Sequence, residues 1–144
     1  QLRWRLSVLP AYVQESLTAP RLTRSQLAAL LVALAPQLEA VSGGTTPLMT
    51  DVVGLPMQRE ILTVVRLELL DSDRLERRFF PGRVVGVQEA RSAIDGLAHL
   101  LALREPVWCD DSGVVSSQCI HLEAPVSGEA IAATVLQLVQ ESRP

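Results

Sequence analysis

The chain contains no lysine and no asparagine, so all 13 of its basic residues are arginine. Phenylalanine and tyrosine are also scarce, with two copies and one copy. All four of these residue types have AT-rich codons, which indicates a GC-rich gene rather than selection for the forked hydrogen bonding of arginine. The net charge of −3 argues against a domain that binds nucleic acid or an acidic membrane over its whole surface.

Only two cysteines are present, which is too few for a disulfide scaffold, so we expect a reducing, intracellular compartment, either cytoplasmic or nuclear. The longest apolar run, Leu27–Ala35, is too short to insert into a bilayer, which needs about 20 residues. No signal peptide and no initiator methionine occur at the start. At 144 residues we expect one domain, 1–144, excised from a larger protein.

The common catalytic and cofactor motifs are missing as well. There is no G-x-G-x-x-G, Walker A, G-x-S-x-G, H-E-x-x-H or C-x-x-C sequence. The nearest match to a phosphate loop, Gly43-Gly44-Thr45-Thr46, lacks the required lysine. We therefore expect no cofactor, and a non-enzyme is favoured over an enzyme.

Several segments have the alternation or the residue types of β-strands. Apolar and polar residues alternate over residues 2–9, which predicts a strand with one buried face. Within 60–70, the alternation of Val65, Leu67 and Leu69 with polar residues and the β-branched content favour a second strand over a helix. Phe80-Pro81-Gly82-Arg83 predicts a type II turn followed by a short strand, 83–87. Residues 107–122 predict a hairpin that turns at Asp111-Ser112-Gly113.

Other segments predict helices. Pro10 suits the first turn of a short helix that runs to about Leu17. Residues Thr23 to Gln26 have the capping-box pattern that begins a helix. This helix is apolar nearly all round, so we expect it to be central or at an interface. We expect it to end or kink at Pro36. Amphipathic helices are predicted at 88–103 and at 126–140, each with one apolar face toward the core. Ser127 is the predicted cap of the second helix. The core stripe of the first is Ile94, Leu97, Ala98 and Leu101, and the inner face of the second is Ile131, Val135, Leu138 and Val139.

Together these segments predict an α+β fold. We expect a single domain with about five strands in a mixed or antiparallel sheet and helices packed on one face.

The hairpin also holds a cluster of reactive residue types. Cys109, Cys119 and His121 are weak candidates for a metal site, since zinc prefers short Cys clusters and no second cluster exists. A Cys/His nucleophile oriented by Asp110 or Asp111 is one further alternative, and a disulfide is another. The predicted turn pairs Cys109 with Val115, out of register with Cys119, so we favour half-buried, unpaired cysteines. His99 is predicted to be a partly buried histidine at the edge of the core.

The segment DRLERRFFPGR, residues 73–83, is the strongest candidate for a partner-binding site; we call it the Arg/Phe segment. It concentrates arginine around both phenylalanines of the chain, and these residue types carry interface hot spots. Arginine also binds phosphate and carboxylate through two bonds at once. A solvated turn anchored to the core by the phenylalanines is the plainer interpretation. The candidate partner-binding residues are Arg74, Arg77, Arg78, Phe79, Phe80 and Arg83.

These features predict a non-catalytic protein–protein interaction or assembly module whose partner is another protein or a second copy of the chain. The 48% content of hydrophobic residues supports a surface covered by a partner. One alternative is a small enzyme or ligand-binding regulatory domain that uses Cys119, His121 and Asp110. Another is a nucleic-acid-binding module that uses the patch from Arg74 to Arg83, although the net charge argues against it.

Overall fold

A computed structural model describes residues 9–109 and 119–141, and within them the chain is helical. It forms five α-helices and a 3-10 helix: α1 (Ala11–Thr18), α2 (Arg24–Leu34), the 3-10 helix (Pro36–Ala40), α3 (Gln58–Arg66), α4 (Val87–Leu100) and α5 (Gly128–Glu141). The described residues contain no β-strand; their bridges are single pairs, Thr23–Val84, Asp73–Arg78 and Trp108–Ile120. The predicted α+β fold with about five strands is therefore wrong.

Helix α2 is the centre of the fold, as its apolar sequence predicts. It contacts α1, α3 and α5, and Leu27, Leu30 and Leu31 are completely buried. The predicted capping box is confirmed: the Thr23 hydroxyl accepts from the backbone N–H of Gln26, and the Gln26 side chain accepts from the N–H of Thr23. The helix ends just before Pro36, which begins the 3-10 helix.

Helix α3 occupies most of the segment for which a strand was predicted. Its buried residues Ile61, Val64 and Val65 have helical spacing, so packing against α2 prevails over the strand preference of β-branched side chains. The alternation that suggested a strand continues past the end of the helix. There Glu68 adopts a left-handed φ of 62°, and the N–H groups of Leu69 and Leu70 both donate to the carbonyl of Val64.

The two long amphipathic helices are confirmed. Ile94, Leu97 and Ala98 of α4 are buried, while Leu101 lies just beyond the helix end and is partly buried. The Ser127 hydroxyl caps α5 by accepting from the N–H of Ala130. Within α5, Ile131, Val135 and Leu138 are fully buried and Val139 packs against the core.

Helix α1 contacts α5 on one side and α3 on another. The carbonyl of Ser16 comes so close to Gly128 of α5 that an added Cβ would lie 1.8 Å from the oxygen. On another face, Tyr12 donates a hydrogen bond of 3.0 Å to Glu60 of α3. Burial, and then this hydrogen bond, raise the pKa of Tyr12 above its usual value.

The remaining strand and turn predictions fare differently. Residues 80–83 do form a turn, in which the N–H of Arg83 donates to the carbonyl of Phe80, but the positive φ of 58° falls at Phe80 and Gly82 has none. The type II assignment is therefore wrong. The predicted strand at 83–87 is also wrong, because a single bridge at Val84 precedes α4. The strand predicted at 2–9 lies, except for its last residue, outside the described residues.

Candidate partner-binding surface

The first half of the Arg/Phe segment is a closed backbone loop. Asp73 and Arg78 exchange two backbone hydrogen bonds, of 2.8 and 3.1 Å. Between them, the Asp73 carboxylate accepts from the N–H groups of Leu75 and Glu76, each at 3.0 Å. These four bonds fix a tight turn, so the side chains that point outward from it have a defined position.

The two phenylalanines of the segment have different surroundings. Phe79 is completely buried and belongs to the core, so it anchors the segment and offers no surface to a partner. Phe80 is half-buried, and the guanidinium of Arg83 stacks over its ring at 4.3 Å. Phe80 and Arg83 therefore stay candidates for contact, whereas Phe79 has a structural role.

Arg24, in the first turn of α2, holds the segment from beneath. Its side chain is nearly inaccessible, and it forms ion pairs with Glu89 of α4 and with Asp71. Its Nε donates to the carbonyl of Phe79 at 2.9 Å, and its guanidinium stacks on the ring of Phe79 at 4.5 Å. One buried cation thus joins α2, α4 and the Arg/Phe segment.

Asp51 holds the same segment from another side. Its two carboxylate oxygens accept from the backbone N–H groups of Phe79 and Phe80, each at 2.8 Å. The neighbouring Thr50 donates its N–H to the carbonyl of Arg77, also at 2.8 Å. The loop of residues 46–54, which we call the adjoining loop, therefore lies directly beside the Arg/Phe segment.

Sequence reasoning missed both Arg24 and Asp51. Arg24 pairs with residues 47 and 65 positions away, and Asp51 bonds residues 28 and 29 positions away. The capping box shows where α2 begins but not that its first charged residue is buried. Nothing local in the sequence marks either residue as an anchor.

The outward face of the segment carries positive charge and one apolar side chain. Arg74, Arg77 and Arg78 are exposed and form no ion pair within the described ranges. Between Arg74 and Arg77, Leu75 is 97% exposed. An exposed leucine among unpaired arginines is a composition that suits a protein contact rather than a catalytic centre.

Shallow clefts flank this face. Arg74 and Pro47 line a cleft of about 210 Å³ between the segment and the adjoining loop. A second cleft, of about 370 Å³, is lined on one side by Phe80 and Arg83 and on the other by Asp73 and Glu76. Both contain charged groups of each sign.

The cysteine region differs from its prediction. Cys109 and Cys119 are joined by a disulfide with their Cα atoms 4.9 Å apart, so the interpretation as unpaired cysteines is wrong. The predicted hairpin register is wrong as well. Trp108 and Ile120 form a parallel bridge, and the N–H of Cys109 donates to the carbonyl of Ile120 rather than to a residue near Val115. The predicted turn itself falls outside the described residues.

The disulfide removes the chemistry on which the enzyme alternative relied. A paired cysteine supplies no thiolate, either as a nucleophile or as a metal ligand. His121 pairs with Glu123 at 2.5 Å and lines a cleft of about 470 Å³ together with Arg91 and Cys109. In the described part of the chain, no group of three potential metal ligands forms.

The other histidine of the chain, His99, does not join this cleft. His99 is exposed on α4, so its predicted position at the partly buried edge of the core is wrong. Asp110 lies outside the described residues. His121 and Cys109 thus line the same cleft beside the disulfide, and His99 does not line it.

No protein-family model matches the chain, and no curated protein and no solved structure matches it. None of the helices in residues 9–109 and 119–141 combines the length and the apolar content that crossing a membrane requires. The case for function therefore depends on the geometry of the Arg/Phe segment and its surroundings.

Proposed function

We propose that this domain is a non-catalytic protein-binding or assembly module whose contact surface is the outward face of the Arg/Phe segment. One observation carries the proposal: Arg77 and Arg78 are exposed without an ion pair in the described chain, on a loop that buried Arg24 fixes from beneath. A surface that is already ordered loses little conformational entropy when a partner binds. Exposed arginines on such a surface make good contact residues.

The backbone of the segment supports the same proposal. Arg77 and Phe80 both have a left-handed φ of 58°, which costs a residue with a side chain about 1–2 kcal/mol. Such conformations persist only where surrounding contacts impose them, and they concentrate at functional positions. Here the contacts from Thr50 and Asp51 impose them.

The alternation of charge favours a protein partner over nucleic acid. Asp73 and Glu76 are exposed among the arginines, so they interrupt the unbroken positive row that a continuous line of phosphates would need. The net charge of −3 acts in the same direction at longer range.

Charge reversal tests the proposal. The native chain should run larger than 15.7 kDa in light scattering and native mass spectrometry, or should bind a co-expressed protein chain. The double variant Arg77→Glu, Arg78→Glu should abolish that association, because it replaces two attractive charges with two repulsive ones. The matched control, Arg21→Glu, changes an exposed arginine just before α2 and should leave association intact.

A strict monomer that binds no partner would contradict the proposal. So would a complex that survives the double reversal unchanged. Circular dichroism of both variants separates loss of binding from loss of folding.

A further inference from the structure

We infer that the partner presents an acidic segment that also carries apolar side chains, and that it binds the Arg/Phe segment together with the adjoining loop. We call this the composite surface. It consists of the exposed side chains Leu48, Val53, Arg74, Leu75, Arg77 and Arg78. This inference rests on the proposed function and specifies the chemistry of the protein that the surface recognises.

The two loops form one surface because backbone contacts connect them along their length. Thr50 donates to Arg77, and the carboxylate of Asp51 accepts from Phe79 and Phe80. Pro47 and Arg74 line the same cleft. A partner that reaches Arg74 and Arg77 therefore also meets the adjoining loop.

The composite surface holds most of the exposed apolar side chains of the described residues. Five large apolar residues of the described chain are exposed, and the three most exposed lie on these two loops: Leu75 at 97%, Val53 at 73% and Leu48 at 66%. Scattered single apolar residues need no explanation, but this concentration on two adjacent loops does. Burial of each such side chain by a partner would contribute favourably to binding.

The composite surface favours carboxylates because its three exposed arginines outnumber the exposed Glu76 beside them. The aspartates on the two loops are engaged with their own backbone, Asp51 with Phe79 and Phe80, and Asp73 with Leu75 and Glu76. The guanidinium groups have no such ion-pair partner in the described chain. Arginine binds a carboxylate through two parallel hydrogen bonds, so an acidic partner segment satisfies these donors.

The exposed apolar side chains favour a peptide partner over a nucleic acid. A phosphate backbone offers charge to the arginines but nothing to Leu48, Val53 and Leu75. A segment that alternates acidic and apolar residues satisfies both components of the surface at once.

Binding of short labelled peptides to the full chain tests this inference by fluorescence anisotropy. The probes are a peptide of alternating Glu and Leu, the same peptide with Gln in place of Glu, the same with Ser in place of Leu, and a single-stranded oligothymidylate. The Glu/Leu peptide should bind most tightly, and each of the two altered peptides should bind about tenfold more weakly or worse, which corresponds to about 1.4 kcal/mol.

Variants of the chain assign the binding to the composite surface. Arg77→Gln with Arg78→Gln should weaken binding of the Glu/Leu peptide about tenfold and reduce its dependence on salt. Leu48→Ser with Val53→Ser should weaken it several-fold without change in salt dependence, because apolar contacts are not screened. Arg21→Gln, at an exposed arginine just before α2, serves as the control and should have no effect.

Three results would overturn the inference: no detectable binding of the Glu/Leu peptide, equal binding of the Gln/Leu peptide, or tighter binding of the oligothymidylate. If association in light scattering still depends on Arg77 and Arg78 while the Glu/Leu peptide fails, the protein-binding function stands and the acidic chemistry of the partner is wrong. If both measurements fail, the proposed function is wrong too.

Discussion

Two non-helical regions of this domain are fixed in different ways. The Arg/Phe segment is fixed by side chains from distant parts of the chain, the buried Arg24 from α2 and the partly buried Asp51 from the adjoining loop. The region around Cys109 and Cys119 is fixed by a covalent bond. There, Arg91 stacks over Trp108 at 5.4 Å and donates to the carbonyl of Cys109.

The difference shows where the molecule keeps its unpaired charge. Around the disulfide, the Trp108 indole donates to Asp95, and His121 pairs with Glu123. In the Arg/Phe segment the anchors bind the backbone and leave the arginine side chains available. A surface that is anchored through its backbone keeps its side chains for a partner, which is why we place the function there.

Removal of the central anchor should have the largest effect on this comparison. Arg24→Met keeps the length of the side chain but leaves Glu89 and the carbonyl of Phe79 without their buried partner. Breaking a buried pair in this way costs about 3–5 kcal/mol in the free energy of unfolding. Urea denaturation followed by circular dichroism measures the loss.

The control for this variant is Arg21→Met, since Arg21 is exposed just before α2. It should change the free energy of unfolding by less than about 0.5 kcal/mol. Equal effects of the two variants would show that Arg24 is not an anchor.

Removal of the disulfide should have the next largest effect. The bond joins residues ten positions apart, and closing a ring of that size restricts the unfolded chain by about 2–3 kcal/mol. The double variant Cys109→Ser, Cys119→Ser should lose this amount in urea denaturation, and reduction of the native chain should lose the same. Free thiols detected in the denatured, unreduced protein would contradict the pairing itself.

Weakening the second anchor should have the smallest effect. Asp51→Asn retains one acceptor oxygen for the N–H groups of Phe79 and Phe80 and should cost about 1 kcal/mol, whereas Asp51→Ala removes both acceptors and should cost about 1–3 kcal/mol. The same denaturation experiment ranks the two. If both variants have the same free energy of unfolding as the native chain, Asp51 does not anchor the Arg/Phe segment.

The sequence predicts those parts of the fold whose signals are local. The capping box at Thr23 and Gln26 and the cap at Ser127 are confirmed because their hydrogen bonds join residues three apart. The strand predicted over α3 is wrong, because burial against α2 decided the conformation of Ile61, Val64 and Val65. β-Branched residues report a preference for half-buried surfaces and not a fixed backbone.

The candidate site could be predicted only in part, for a similar reason. The clustering of arginine around Phe79 and Phe80 is visible in the sequence. The burial of Phe79 and the role of Arg24 are not, since they depend on contacts between residues 55 positions apart. The pairing of the cysteines was missed because the predicted hairpin register set Cys109 opposite the wrong residue.

Amide hydrogen exchange at Phe79 and Phe80, followed by NMR, tests most directly whether the Arg/Phe segment is a preformed surface. Both N–H groups donate to Asp51, and Arg24 binds the carbonyl of Phe79. We predict that both amides exchange at least about a thousandfold more slowly than in an unstructured peptide, close to the amides at the centre of α2. Exchange at the rate of an unstructured peptide would contradict a preformed surface.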